Sequence, residues 1–106
     1  MADTPTIQWP DRSGKKYTYW IYKFPANFKT DAGNYIFAKE TKPGSWSPVY
    51  IGQTKDLSER FDNHHKMLCI KRHGATHIHA HLNSSLQARL AEESDLIEKW
   101  NTPCND

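Results

Sequence analysis

The chain has 106 residues, of which 37% are hydrophobic, 12% aromatic and 25% charged, and its formal net charge is +2. This length suits one domain, residues 1–106, with a real but modest core. No apolar run approaches the roughly 20 residues that a membrane-spanning helix needs, so we expect no membrane association. The first residues lack the blocks of a secretion signal, so Cys69 and Cys104 are expected to be free thiols in a reducing cytoplasm.

Composition and periodicity predict six elements in the order β, β, β, α, β, α. Residues 1–15 are expected to form a loose N-terminal arm, because Pro5 and Pro10 oppose regular structure. Strands are predicted at 16–24, 33–38, 49–52 and 76–82, and helices at about 57–70 and 85–100. Residues 39–48 are predicted to be a long hairpin loop. The sequence therefore predicts an α/β fold of the α+β type, in which helices flank a small, mostly antiparallel sheet.

The second predicted helix has an acidic residue where an apolar one is expected. Helical spacing gives one stripe, which we expect to face the core, while Glu92 can face water. The members of this stripe are Leu86, Leu90, Glu93, Ile97 and Trp100. A carboxylate against a core costs free energy unless it has a cation or several donors. Glu93 is therefore either half of a structural ion pair, for example with Arg60, or part of a functional site.

Two tyrosines are predicted to lie side by side. Alternation along the strands places Ile36, Val49 and Ile51 on the core face and Tyr35 and Tyr50 together on the opposite face. In the first predicted helix, one face carries Leu57, Phe61, His64 and Leu68, with Arg60 at its margin.

Taken together, these residues resemble the GIY-YIG nuclease domain, over the range 33–105. The first motif reads Gly33-Asn34-Tyr35, with Asn in the middle position, and the second is intact as Tyr50-Ile51-Gly52. The helix motif corresponds to Leu57, Arg60 and His64. The C-terminal motif corresponds to Glu93, Leu96-Ile97, Pro103 and Asn105.

This resemblance implies a DNA endonuclease that requires a divalent metal. Tyr35 and Tyr50 would lie at the scissile phosphate, with Tyr35 preferred for activating water, and Arg60 would clamp the phosphate. Glu93 would bind one Mg²⁺ or Mn²⁺ ion, Asn105 would support the site, and His64 would be an accessory group. One departure is Gln53, where some members of the family carry Lys.

The expected partner of the chain is DNA. The basic side chains expected to contact its phosphates are Lys55, Arg60, Lys66, Lys71 and Arg72. Because no separate recognition domain is recognised in the sequence, specificity is expected from DNA shape, a homodimer or a partner protein.

Two other functions stay open. A module of the same fold can bind nucleic acid and cleave it poorly, as Gln53 and the modest charge suggest. A zinc-binding interaction domain is the other alternative, because His77, His79 and His81 alternate on one strand face and can be combined with His73, or with His65 and Cys69. We prefer a solvated or nucleic-acid-facing strand for these histidines, and Trp46 is a candidate for stacking on a base.

Overall fold

The computed structural model describes residues 5–23, 26, 28–59 and 64–105. Its strands are β1 (Thr6–Pro10), β2 (Lys16–Lys23), β3 (Gly33–Lys42), β4 (Ser45–Thr54) and β5 (His77–Leu82), and its helices are α1 (Met67–Arg72) and α2 (Leu86–Lys99). All four strand pairs are antiparallel, and the strand order in the sheet is β1-β2-β5-β3-β4. The predicted α+β architecture, with its antiparallel sheet and two helices, is confirmed.

The N-terminal segment is more ordered than expected. Residues 6–10, which we predicted to belong to a loose arm, form β1 and pair with β2. Trp9 is buried there, donates from its indole N–H to Nδ1 of His79 at 2.9 Å, and contacts the Trp100 ring edge-on. Burial of this indole stabilises the strand by more than the prolines destabilise it. Pro10 lies at the end of an edge strand, where a missing N–H is tolerated.

The hairpin between β3 and β4 has a short turn, so the predicted long loop is wrong. β3 continues to Lys42 and β4 begins at Ser45, which leaves only Pro43 and Gly44 between them. Gly44 has a φ of +81°, a conformation that glycine adopts without a steric penalty. Trp46 consequently lies within β4, where the centroid of its ring is 4.7 Å from those of the His77 and His79 rings.

The two faces of the sheet carry separate apolar clusters. Tyr35, Phe37 and Tyr50 pack with residues of α1 on one face, whereas Ile36 and Ile51 pack with Leu96 of α2 on the other. A register shift follows Phe37, because Phe37 pairs with Tyr50 and the next residue pairs with Pro48. Val49 is the extra residue of this bulge and joins the tyrosine face, so its predicted place beside Ile51 is wrong.

The first helix is shorter than predicted. Residues 57–59 lie outside any helix, and α1 begins only at Met67. The Asp56 carboxylate accepts hydrogen bonds from the backbone N–H and the hydroxyl of Ser58, which stabilises a turn in place of the expected helix start. Leu57 is buried as expected, but Leu68 is 83% exposed because the helix starts in a different phase. Arg60 and Phe61 lie outside the described residues.

The second helix has the predicted bounds but not the predicted orientation. The hydroxyl of Ser85 caps α2 by accepting the Ala88 N–H at 3.2 Å. The residues that α2 buries are Arg89, Glu92 and Leu96, whereas Leu86, Leu90 and Ile97 are exposed. Three apolar members of the predicted stripe therefore face away from the core, whereas Trp100 packs against it. Glu92, which we expected to face water, is 3% exposed. No helix in the described ranges is long and apolar enough to cross a membrane.

The cysteines are not free thiols, contrary to the prediction. Cys69 of α1 and Cys104, in the segment after α2, form a disulfide with their Cα atoms 5.8 Å apart. The disulfide fixes α1 to this C-terminal segment, which also contacts β4.

Candidate functional site

The two tyrosines lie together on one face of the sheet, as predicted. Tyr35 of β3 is opposite Gly52 of β4, and Tyr50 of β4 is opposite Phe37. The Tyr35 and Tyr50 rings are stacked with their centroids 6.1 Å apart and an interplanar angle of 30°. Both residues are almost fully buried, so little of either ring is open to solvent.

The glycines of the two motifs leave space for this arrangement. A Cβ atom on Gly52 would lie 2.7 Å from Cζ and the hydroxyl oxygen of Tyr35, and 2.9 Å from the Tyr50 ring. On Gly33 it would lie 2.4 Å from the backbone oxygen of His81 and 2.9 Å from Leu57. Gly52 therefore lets the Tyr35 phenol lie across β4, and Gly33 lets β3 approach β5 closely.

His64, Tyr35 and Tyr50 form a chain of hydrogen bonds. The backbone N–H of Lys66 donates to Nδ1 of His64 at 3.1 Å, so in the neutral imidazole the proton is on Nε2. In this tautomer Nε2 donates a hydrogen bond to the Tyr35 hydroxyl, 2.7 Å away. The Tyr35 hydroxyl in turn donates a hydrogen bond to the Tyr50 oxygen. The network thus directs a hydrogen bond at the oxygen of Tyr50.

The pKa values of these groups follow from burial. Burial lowers the pKa of His64 to about 4, helped by electrostatic repulsion from the neighbouring His65 and Lys66 side chains, so the His64 imidazole is neutral at pH 7. Burial also raises the pKa of Tyr35 well above its ordinary value. The pKa of Tyr50 is raised by burial and by the Glu93 charge, but the hydrogen bond from Tyr35 opposes this rise. Of the two tyrosines, Tyr50 is therefore the one whose charged form receives a hydrogen bond, although its pKa stays raised.

Glu93 of α2 lies close enough for its charge to affect both tyrosines. Its carboxylate is half-buried and accepts a hydrogen bond from the backbone N–H of Gln53. Burial raises the pKa of Glu93, because a desolvated carboxylate with one N–H donor is poorly compensated. The acidic residue noted in the sequence is thus near enough to the tyrosine pair for its charge to act on both hydroxyls.

Asn105 lies against β4 and not at the tyrosine hydroxyls. Its Oδ1 accepts the backbone N–H of Ile51 and its Nδ2 donates to the Ile51 carbonyl, both at 2.8 Å. Thr102 also donates to Oδ1. Because Ile51 lies between Tyr50 and Gly52, Asn105 holds the strand that carries the site. The resemblance implied support of the site, and the contacts observed are those to the backbone of β4.

The two departures from the family pattern meet at one residue. Asn34 and Gln53 are paired across β3 and β4, on the face that packs against α2. Asn34 Nδ2 donates to the Arg89 carbonyl at 2.9 Å, and Arg89 Nε donates to Gln53 Oε1 at 3.0 Å. Arg89 also donates to the Asn83 carbonyl. Arg89 is thus hydrogen-bonded within the protein while only 4% exposed. This network links α2 to the two motif strands.

A buried carboxylate escaped the sequence analysis. Glu92 accepts hydrogen bonds from the Tyr19 hydroxyl and from Nδ1 of His81, which lies 3.1 Å from Glu92 Oε2. The pKa of His81 is raised mainly by this hydrogen bond, so protonation of His81 is favoured. The alternating histidines of β5, which include His81, were the signal in the sequence that came nearest to this pair.

The zinc site on β5 that we kept as an alternative does not form among the described residues, and the preferred solvated strand is not found either, because His79 is buried. His79 is buried and accepts the Trp9 indole N–H, His81 pairs with Glu92, and His77 lies beside the Thr76 hydroxyl at 2.8 Å. The one group of three or more possible metal-binding side chains in the described ranges is Cys69, His73 and Cys104.

The basic residues predicted to contact DNA are spread along one stretch of chain. Lys55 is exposed just after β4, Lys66 is half-buried just before α1, and Lys71 and Arg72 are exposed in the last turn of α1. Arg60 lies outside the described residues, so its role depends on the resemblance alone.

Comparisons with family models, with curated protein sequences and with solved structures find no match to this chain.

Proposed function

We propose that this chain is a divalent-metal-dependent endonuclease of the GIY-YIG type, which hydrolyses phosphodiester bonds in DNA. The observation that carries the proposal is the hydrogen-bonded chain His64–Tyr35–Tyr50 beside the Glu93 carboxylate. Phosphodiester hydrolysis needs a group that accepts a proton from water and positive charge close to the phosphate. The tyrosine pair supplies the first, and a cation on Glu93 supplies the second.

Within this proposal, Tyr50 first loses its own proton to solvent, and the resulting phenolate, rather than Tyr35, accepts the proton of the attacking water. Tyr35 is already bonded to His64 and Tyr50, whereas the Tyr50 oxygen receives a hydrogen bond that stabilises its phenolate form. The Glu93 charge is the second cause of the raised pKa of Tyr50, after burial, so neutralising that charge would lower this pKa while the effect of burial remains. The preferred base is therefore Tyr50, where the sequence favoured Tyr35.

The surroundings of Glu93 fit a magnesium or manganese ion. Mg²⁺ commonly binds one or two carboxylates and completes its shell with water and substrate phosphate oxygens. Glu93 is a half-buried carboxylate with a raised pKa, which a nearby cation would lower. Bound there, the ion supplies positive charge for the phosphate and the leaving oxygen.

Nicking of DNA tests this function. Supercoiled plasmid and branched oligonucleotides are incubated with the protein and Mg²⁺ or Mn²⁺, with and without a chelator. We expect metal-dependent nicking that Glu93→Gln abolishes. The matched control is Glu40→Gln, because Glu40 is exposed at the far end of β3 and its removal should leave the rate unchanged.

The outcome separates the alternatives. DNA binding without cleavage, at every metal concentration, would support a nucleic-acid-binding module. Equal cleavage by wild type and Glu93→Gln would remove Glu93 from the reaction. Arg60→Lys keeps the charge but loses the bidentate geometry, so a fall of about tenfold or more would support phosphate clamping by Arg60.

A further inference from the structure

A second group of reactive side chains lies where α1 meets the C-terminal segment. Cys69 and His73 are four residues apart at the end of α1, so they lie one helical turn apart, and Cys104 approaches from the segment after α2. The possible ligand atoms of these three residues all lie within 4.8 Å of one another.

The disulfide between the cysteines does not account for His73. A disulfide needs only its two sulfur atoms, yet an imidazole lies within reach of both. Cys104 is buried, Cys69 is half-buried and His73 is exposed, so the group is open to solvent on its His73 side. A small ion or reductant can therefore approach from that side without unfolding the chain.

We propose that the reduced form of Cys69 and Cys104, together with His73, is a binding site for one Zn²⁺ ion. Two thiolates and an imidazole form a ligand set that binds zinc in preference to magnesium or calcium. A tetrahedral ion with Zn–S bonds of about 2.3 Å holds its sulfurs about 3.8 Å apart. Cysteines with Cα atoms 5.8 Å apart reach this separation by side-chain rotation, so α1 keeps its place.

The two states of the site exclude each other. A dithiol reductant transfers two electrons and two protons to the pair, the S–S bond breaks, and the reductant becomes a cyclic disulfide. Zn²⁺ then displaces the two thiol protons, binds a nitrogen of His73 and keeps one water in its fourth position. Zinc itself is neither oxidised nor reduced. In either state α1 stays joined to the segment that carries Asn105.

The experiment compares the oxidised and reduced protein. The chain is reduced with dithiothreitol, freed of reductant without oxygen, and titrated with Zn²⁺ against a chromophoric chelator. Co²⁺ is used as a spectroscopic probe of thiolate ligands. We expect one equivalent of zinc and a thiolate-to-cobalt charge-transfer band for the reduced protein, and neither for the oxidised protein. Equal zinc uptake by both forms would overturn the proposal, as would none by the reduced form.

Two histidine variants test the third ligand. His73→Ala keeps both cysteines and removes the proposed nitrogen ligand, so zinc should bind at least about tenfold more weakly. His65→Ala is the matched control, because His65 is also exposed and lies four residues before Cys69, and its affinity should equal that of wild type. Unchanged affinity in His73→Ala, or an equal loss in His65→Ala, would show that the ion binds elsewhere.

Discussion

Asn34 and Gln53 lie opposite each other on β3 and β4, and both hydrogen-bond to Arg89 of α2. One bond uses the Arg89 carbonyl and the other its guanidinium, so the helix is held through both its backbone and its side chain. These two residues occupy the positions where the chain departs from the GIY-YIG pattern. The departures are therefore parts of one structural arrangement between the sheet and the helix that carries Glu93.

Replacing Arg89 should destabilise the fold. Arg89→Met keeps much of the apolar volume but removes the bonds to Gln53 and Asn83, leaving two half-buried acceptors unpaired. We expect the free energy of unfolding to fall by about 2–4 kcal/mol. Urea denaturation measures this change. Arg12→Met is the control, since Arg12 forms an exposed ion pair with Glu98 and should cost less than about 1 kcal/mol. Equal effects of the two variants would contradict the role assigned to Arg89.

The two tyrosines should differ in their effect on cleavage. Tyr50→Phe removes the group that accepts the proton, so the single-turnover rate should fall by about 10²–10⁴-fold. Tyr35→Phe removes only the hydrogen bond that stabilises the Tyr50 phenolate, and its loss should be at least about tenfold smaller. Tyr22→Phe, on β2, should cleave normally. A greater loss in Tyr35→Phe than in Tyr50→Phe would reassign the base to Tyr35.

Gly52→Ala should disturb the site by crowding alone. Gly52 is not among the glycines with positive φ, so alanine suits its backbone conformation, but the added methyl group overlaps the Tyr35 phenol. We expect a loss of about 1–3 kcal/mol in unfolding free energy. The same substitution in a Tyr35→Ala background should cost clearly less, because the overlapping ring is absent. A cost that is identical in both backgrounds would show that Tyr35 does not lie across Gly52.

The buried histidines should titrate in opposite directions. Burial lowers the pKa of His64 to about 4 and that of His79 to about 3, whereas Glu92 raises the pKa of His81. NMR titration of the imidazole C–H signals should place His64 and His79 below, and His81 above, the ordinary value of about 6.5. A His81 midpoint below those of the other two would contradict these environments.

These pKa shifts make the free energy of unfolding depend on pH in a defined direction. As the pH falls from about 6.5 towards 3, the unfolded chain binds protons that folded His64 and His79 do not, so they lower the free energy of unfolding. His81 acts oppositely. Its contribution is fully present below about pH 6.5 and is lost as the pH rises through its higher folded pKa.

The sequence predicted local patterns better than long-range partners. Alternation along β3 and β4 was enough to place Tyr35 and Tyr50 on one face, because that pattern depends only on neighbouring residues. The phase of α2 was wrong because Glu92 is buried by bonding to Tyr19, 73 residues away, and to His81. Periodicity counts apolar residues, and it has no means of recognising a carboxylate whose partners lie on distant strands.

The disulfide and the helix start were missed for related reasons. Cys69 and Cys104 are 35 residues apart, and their meeting depends on how the segment after α2 returns to α1. The residues around Asp56 suit a helix cap and a turn equally well. In the structure the hydrogen bonds from Ser58 to the Asp56 carboxylate stabilise the turn. In both cases the deciding contact is outside the information that composition and spacing contain.

The C-terminal segment has a consequence for how molecules of this protein meet one another. β4 is an outer strand of the sheet, and such strands present unpaired peptide groups on which a strand from another molecule can add. Here the Val49 carbonyl accepts the Cys104 N–H at 3.1 Å, and both peptide groups of Ile51 are bonded to the Asn105 amide. The same residues that hold the tyrosine strand in place thus stop the sheet at this edge from growing between molecules.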